Sequence, residues 1–267
     1  NYNIDSVGWG SPFLLVPEAT SVDSTTRKIL EKATEKDLYL SDISPLGVPF
    51  NSLRGNTNEI IKNQKISDNN PGSSCPKKFL VSNTEYTDRA ICTASKQYQT
   101  KKLEDLKLEE LSEADFTKRF HQITEKACLC VGLANAAFID HNIKQTGEEQ
   151  GVAICPGPNL AYFSKELSLK EMVGHIYGKT NVISTNNRPH MFIKELKMYV
   201  DYFSNKVDDF KESFSIKQQK YLIKFQENLN DGIEYYHHLF SSFESNKENL
   251  LNELETLKEE LFKIKIP

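Results

Sequence analysis

The feature that most constrains this chain lies near its end, where apolar residues recur every three or four positions along two segments. They are Leu222, Phe225, Leu229, Ile233, Tyr236, Phe240 and Phe243, then Leu250, Leu254, Leu257, Leu261 and Ile264. An α-helix turns once in about 3.6 residues, so such positions share one face. Neither stripe can remain in water alone. Ser245-Asn246-Lys247-Glu248 between them reads as a capping box, which predicts an antiparallel helical hairpin with an a/d-like seam over residues 216 to 264. Helical spacing extends back towards Pro189 through Phe192, Tyr199, Tyr202 and Phe203, and residues 189–267 are expected to form a helical C-terminal extension.

The first fifty residues carry a different pattern. Gly8-Trp9-Gly10-Ser11-Pro12 runs into the apolar stretch Phe13-Leu14-Leu15-Val16-Pro17, which fits a buried strand. Residues 24 to 36 read as a helix with Ile29, Leu30 and Ala33 on its apolar face, and residues 37 to 41 as a second short strand. Residues 1–50 therefore resemble the end of an α/β unit. Residues 51–188 are expected to be a Cys-containing loop and helical region with a short strand. Within it, residues 51 to 94 read as irregular, and Ser112 with Asp115 marks a helix start. Residues 128 to 139 read as a small-residue helix, Gly151 to Cys155 as a strand, and Ser168 with Glu171 as a capping box.

Composition narrows the function classes. In 267 residues, 33 Lys and Arg face 37 Asp and Glu, a net charge of −4 with no basic tract, which argues against nucleic acid as a partner. The apolar share of 38% includes Tyr and, even with the 12 Gly added, falls short of the roughly 45–50% usual for globular chains, so much of the helix must be solvated. The longest run free of charge and proline, residues 127 to 139, is well short of the roughly 20 residues that span a bilayer, so no membrane crossing is expected. The N-terminus shows neither an initiator Met nor the plan of a signal peptide, as expected of a trimmed chain or the back part of a longer protein. Five irregularly spaced cysteines argue against a secreted disulfide framework and for a reducing, cytoplasmic compartment.

Chemistry-bearing motifs are few. The chain lacks G-x-G-x-x-G, a Walker loop, H-E-x-x-H and G-x-S-x-G. Cys75, Cys92, Cys128 and Cys130 could converge as thiolates on zinc or an iron–sulfur cluster, since a C-x-C pair can chelate, although neither half has the familiar C-x-x-C spacing. The other reading makes them ordinary buried thiols. Cys155 is expected in the core. His237 and His238 point about 100° apart on a helix and suit a solvated role, while His121, His141, His175 and His190 stand singly.

Taken in order, these signals resemble the C-terminal part of the nitronate monooxygenase (2-nitropropane dioxygenase-like) family of FMN-dependent TIM-barrel proteins. Gly10-Ser11-Pro12-Phe13 is similar to that family's Gly-Thr-x-Phe turn, with Ser11 in place of Thr, and Ser44-Pro45-Leu46-Gly47-Val48-Pro49 to its Ser-Pro-x-Gly-x-Pro loop. Cys128-Leu129-Cys130-Val131-Gly132-Leu133 and Ser168 to Glu171 match later motifs, so the likeness covers about residues 7 to 178. The resemblance implies an α/β barrel remnant, its last strand or two, followed by a mainly α-helical region, and a chain that is predominantly helical overall. It further implies FMN held at Gly10 and Ser11, a small-molecule substrate, and the upstream part of the same protein as the partner that completes the barrel. A rival reading from the cysteines and the hairpin is a non-catalytic, metal-stabilised helical interaction module.

Overall fold

The computed structural model describes residues 10–75, 78–143, 151–185, 188–210, 215–243 and 246–267. Helix dominates, and the chain divides into two compact units, Asn1–Ser184 and Thr185–Pro267.

The first unit begins with a 3-10 helix, Ser11–Leu15, where a strand was expected. The cause is local: Pro12 sits in the first turn with its φ fixed, and the Phe13 N–H returns to the Gly10 carbonyl at 2.9 Å. Leu15 and Val16 are nevertheless fully buried, so the apolar run supplies core in a different conformation. Helix α1 (Ser24–Lys32) starts at Asp23, whose carboxylate accepts the Thr25 and Thr26 N–H groups at 3.1 and 3.0 Å. Leu30 and Ala33 are buried on its inner face.

Strands β1 (Leu38–Ser41) and β2 (Phe50–Leu53) pair antiparallel, Leu38 opposite Leu53. The expected barrel remnant would need parallel neighbours. Among the described residues the sheet is this two-stranded hairpin, and the link over residues 42 to 49 is shorter than the dozen or so residues of a parallel crossover. Helix α2 (Thr57–Ser67) occupies part of the stretch read as irregular. Its start is encoded by Asn56, whose side chain accepts the Glu59 N–H at 2.9 Å. Helices α3 (Lys96–Leu106), α4 (Glu113–Thr124), α5 (Leu129–Asp140) and α6 (Leu169–Ile176) follow. The caps read at Ser112 and Ser168 are formed, the second as a reciprocal capping box with Glu171.

Residues 151 to 155, read as a strand, join no named strand. Val152 accepts the Asn58 N–H at 3.2 Å, and Ala153 donates to the Gly132 carbonyl at 2.9 Å. A Cβ on Gly132 would lie 2.8 Å from the Ala153 Cβ, which explains the small residue in α5 at this crossing. Cys155, expected in the core, is exposed, although residues 151 to 154 before it are all buried.

The second unit packs three helices, α7 (Met191–Phe210), α8 (Ile216–Ser241) and α9 (Lys247–Lys263). Phe203, Leu222, Phe240, Leu254 and Leu261 are wholly buried between them, and the Phe203 and Phe225 rings stack 5.7 Å apart. The helical hairpin read from the apolar stripe is therefore present, with α7 closing its third side. Ser215 caps α8 in a reciprocal box with Gln218. In the box expected before α9, Ser245 lies outside the described residues, while Asn246 takes a left-handed conformation, φ 57°. His237 lies 3.8 Å from the Glu255 carboxylate on the solvated side of α8 and α9.

Candidate metal centre

Three separate stretches of the first unit carry the four cysteines, and main-chain hydrogen bonds stitch them together. Ser73 and Ser95 form a parallel bridge in which the Ser73 N–H donates to the Ala94 carbonyl at 3.0 Å and the Lys96 N–H to the Ser73 carbonyl at 2.8 Å. That approach depends on Gly72, whose φ is +84° and whose missing Cβ would fall 2.6 Å from the Lys96 Cα. Cys75, three residues on, has a φ of 53°, a left-handed conformation uncommon for a residue with a side chain. The chain between Cys75 and Cys92 doubles back through an antiparallel bridge, Asn83 to Ile91, with bonds of 3.1 and 2.8 Å.

Gln99 ties in the third stretch. Wholly buried on α3, it donates its amide to the Thr93 carbonyl at 3.4 Å and the Lys126 carbonyl at 3.0 Å. Those carbonyls lie one residue past Cys92 and two before Cys128. The Gln99 Oε1 is buried without a hydrogen-bond partner. Cys128 then forms the N-cap of α5 and Cys130 lies in its first turn, where the helix dipole favours a thiolate.

The electrostatics show the four thiols as neighbours. Burial pushes the Cys92 thiol from its ordinary value of 9.0 up to about 12, and negative charge on Cys75, Cys128 and Cys130 pushes in the same direction. The Ala94 N–H, turned on the Cys92 sulfur, opposes this. Burial also raises Cys130, with Cys75 adding to the rise and the N–H groups of Leu80 and Phe79 opposing it. Main-chain donors aimed at sulfur stabilise a thiolate, and this is an environment a metal–thiolate site uses. A void of about 10 Å³ lies between Cys75 and Cys128, bounded also by Asn58 and Val131. It is about the size of one water and touches neither Cys92 nor Cys130. All five cysteines are free thiols, and among the described residues no group of three or more His, Cys, Asp or Glu is drawn close enough to hold a metal. The four sulfurs thus share a neighbourhood without converging on a point.

The expected flavin turn is placed elsewhere. Gly10 is exposed at the start of the first 3-10 helix, and the Ser11 hydroxyl accepts the Gly157 N–H at 2.7 Å. Gly8 lies outside the described residues. Sequence reasoning passed over Gln99 and the N–H donors at 79, 80 and 94, since neither spacing nor residue type marks them. No protein-family model, curated protein or solved structure matches this chain.

Proposed function

We propose that this chain is a non-catalytic helical interaction module whose first unit is secured by one zinc ion on Cys75, Cys92, Cys128 and Cys130. The observation that carries the reading is the stitching of three cysteine-bearing segments by the Ser73–Ser95 bridge and the Gln99 amide, which places Cys92 near the other three thiols, with N–H donors turned on the Cys92 and Cys130 sulfurs. Closing on an ion requires each of the four side chains to turn about its Cα–Cβ bond, since the sulfurs do not already converge. Loading zinc removes the thiol protons, and the cation turns the repulsion among neighbouring thiolates into attraction. In this reading, partner binding falls to the Thr185–Pro267 unit, where α8 leaves Tyr221, Ile223 and Tyr235 exposed.

The other reading, the C-terminal region of an FMN-dependent oxidoreductase, draws its support from motif order alone. Pro12 has no N–H to offer a phosphate, and the Ser11 hydroxyl is engaged by Gly157. Thermal unfolding decides between them. Zinc added to metal-free protein should raise the melting temperature of the wild type and leave Cys128→Ser unchanged. A bound flavin, or an equal response in Cys128→Ser, would overturn the zinc reading.

A further inference from the structure

Beside the cysteines opens a cleft of about 770 Å³, within the roughly 300–1,000 Å³ range of small-molecule sites. Its lining includes Lys78, Arg89, Lys96 and Lys101, with Glu104 as the one carboxylate. This is a local excess of positive charge in a chain whose net charge is −4. Two nearby acids are committed elsewhere, while Asp88, next to Arg89, forms no ion pair with it. Glu85 pairs with Lys102 at 2.6 Å and accepts the Tyr98 hydroxyl at 2.8 Å, and Asp105 accepts the Tyr86 hydroxyl. Among the described residues no carboxylate pairs with Lys78, Arg89 or Lys96, and Lys101 lies 5.8 Å over the Tyr86 ring. Of the first-turn donors of α3, Lys96 is spent on Ser73 and Tyr98 on the Ser95 hydroxyl, which leaves the Gln97 N–H, so the pull on an anion comes mainly from side-chain charge. Val81 and Ile91 add an apolar wall.

We propose that this cleft binds a phosphorylated organic small molecule of about nucleotide size. Arg89 matches two phosphate oxygens with its planar fork, and the lysines act as point charges around the same group. Val81 and Ile91 cover the apolar part of the ligand. The cations are solvent-exposed, so binding weakens steeply with salt. The proposal goes beyond the zinc reading and does not depend on it, although Cys75 and Cys92 also border the cleft.

Calorimetric titration of the full chain with ADP, inorganic pyrophosphate and adenosine, at about 50 and about 300 mM salt, tests it. ADP should bind, more weakly at high salt, and adenosine should not. ADP binding tighter than pyrophosphate supports the organic class through the apolar wall, whereas pyrophosphate binding with no contribution from the nucleoside overturns that part. The double variant Arg89→Ala, Lys96→Ala should lose affinity by about tenfold or more. Glu104→Gln, which removes the only opposing charge of the lining, should tighten ADP by a factor of about two to five. Lys170→Ala on α6 should change nothing. Repeating the titration with a strong zinc chelator separates the two proposals, because loss of metal without loss of ADP affinity leaves this one standing. It is overturned if ADP fails to bind at about 1 mM, the weak end of specific affinity, if adenosine binds as well as ADP, or if neither the double variant nor Glu104→Gln shifts the affinity.

Discussion

Replacing Leu254 by Ala tests how the second unit is held together. Leu254 is 0% exposed near the middle of α9, within the cluster that includes Phe203, Leu222 and Phe240. Truncating a wholly buried Leu removes transfer free energy and leaves a cavity, a cost of about 2–5 kcal/mol. For a unit of this size, each kcal/mol lowers the melting temperature by roughly 4–8 °C, so a fall on the order of 10–30 °C is expected. That is a large fraction of the stability such a unit has. The control is Ile223→Ala on α8, where 43% exposure leaves much less to lose and the cost should stay below about 1 kcal/mol. Far-UV circular dichroism on heating reads both, since the unit is almost wholly helical. Equal shifts in the two variants, or no shift in Leu254→Ala, would refute the claim that this seam is the core.

Gly72→Ala should destabilise the first unit by about 1–2 kcal/mol from its left-handed backbone alone, and by more from the close approach to Lys96, with chemical denaturation as the measure. Gln99→Leu leaves the Thr93 and Lys126 carbonyls without their donor, at about 1–3 kcal/mol each, and should speed zinc loss to a chelator relative to wild type. In metal-free protein the Cys92 thiol is raised from 9.0 to about 12, so its contribution is complete below pH 9 and is lost as pH climbs towards 12. Denaturation curves should show that loss, and Cys92→Ala should flatten it. His190 is depressed below its ordinary 6.5, first by burial beside Phe192, Phe240 and Phe243 and then by Arg188, with Glu253 opposing. Its contribution is therefore present above pH 6.5 and lost as pH falls below it, a dependence that His190→Phe should remove.

Periodicity made the second unit legible, because a stripe sustained over many turns admits few alternatives to a buried helical seam. Caps at Ser112 and Ser168 were equally readable, since side-chain and backbone partners lie three residues apart. The strand expected at residues 13 to 17 shows the opposite limit: a five-residue apolar run says it is buried, and Pro12 decides its shape. Helix α2 was missed because its apolar face is thin, although Asn56 and Glu59 carried a cap signal. The cysteine neighbourhood was legible as residue types but not as an arrangement. Its stitching depends on Gly72, Gln99 and main-chain N–H groups whose partners lie far along the sequence. The cationic cleft was invisible for the same reason, its charges being dispersed through a chain that is acidic overall.

Whether the four thiols take one zinc ion is read by zinc-edge X-ray absorption on protein purified from zinc-supplemented cells. One zinc per chain with a shell of four sulfurs at about 2.3 Å is expected. Protein without stoichiometric zinc, or zinc in a shell of nitrogen and oxygen at about 2.0–2.2 Å, would contradict it.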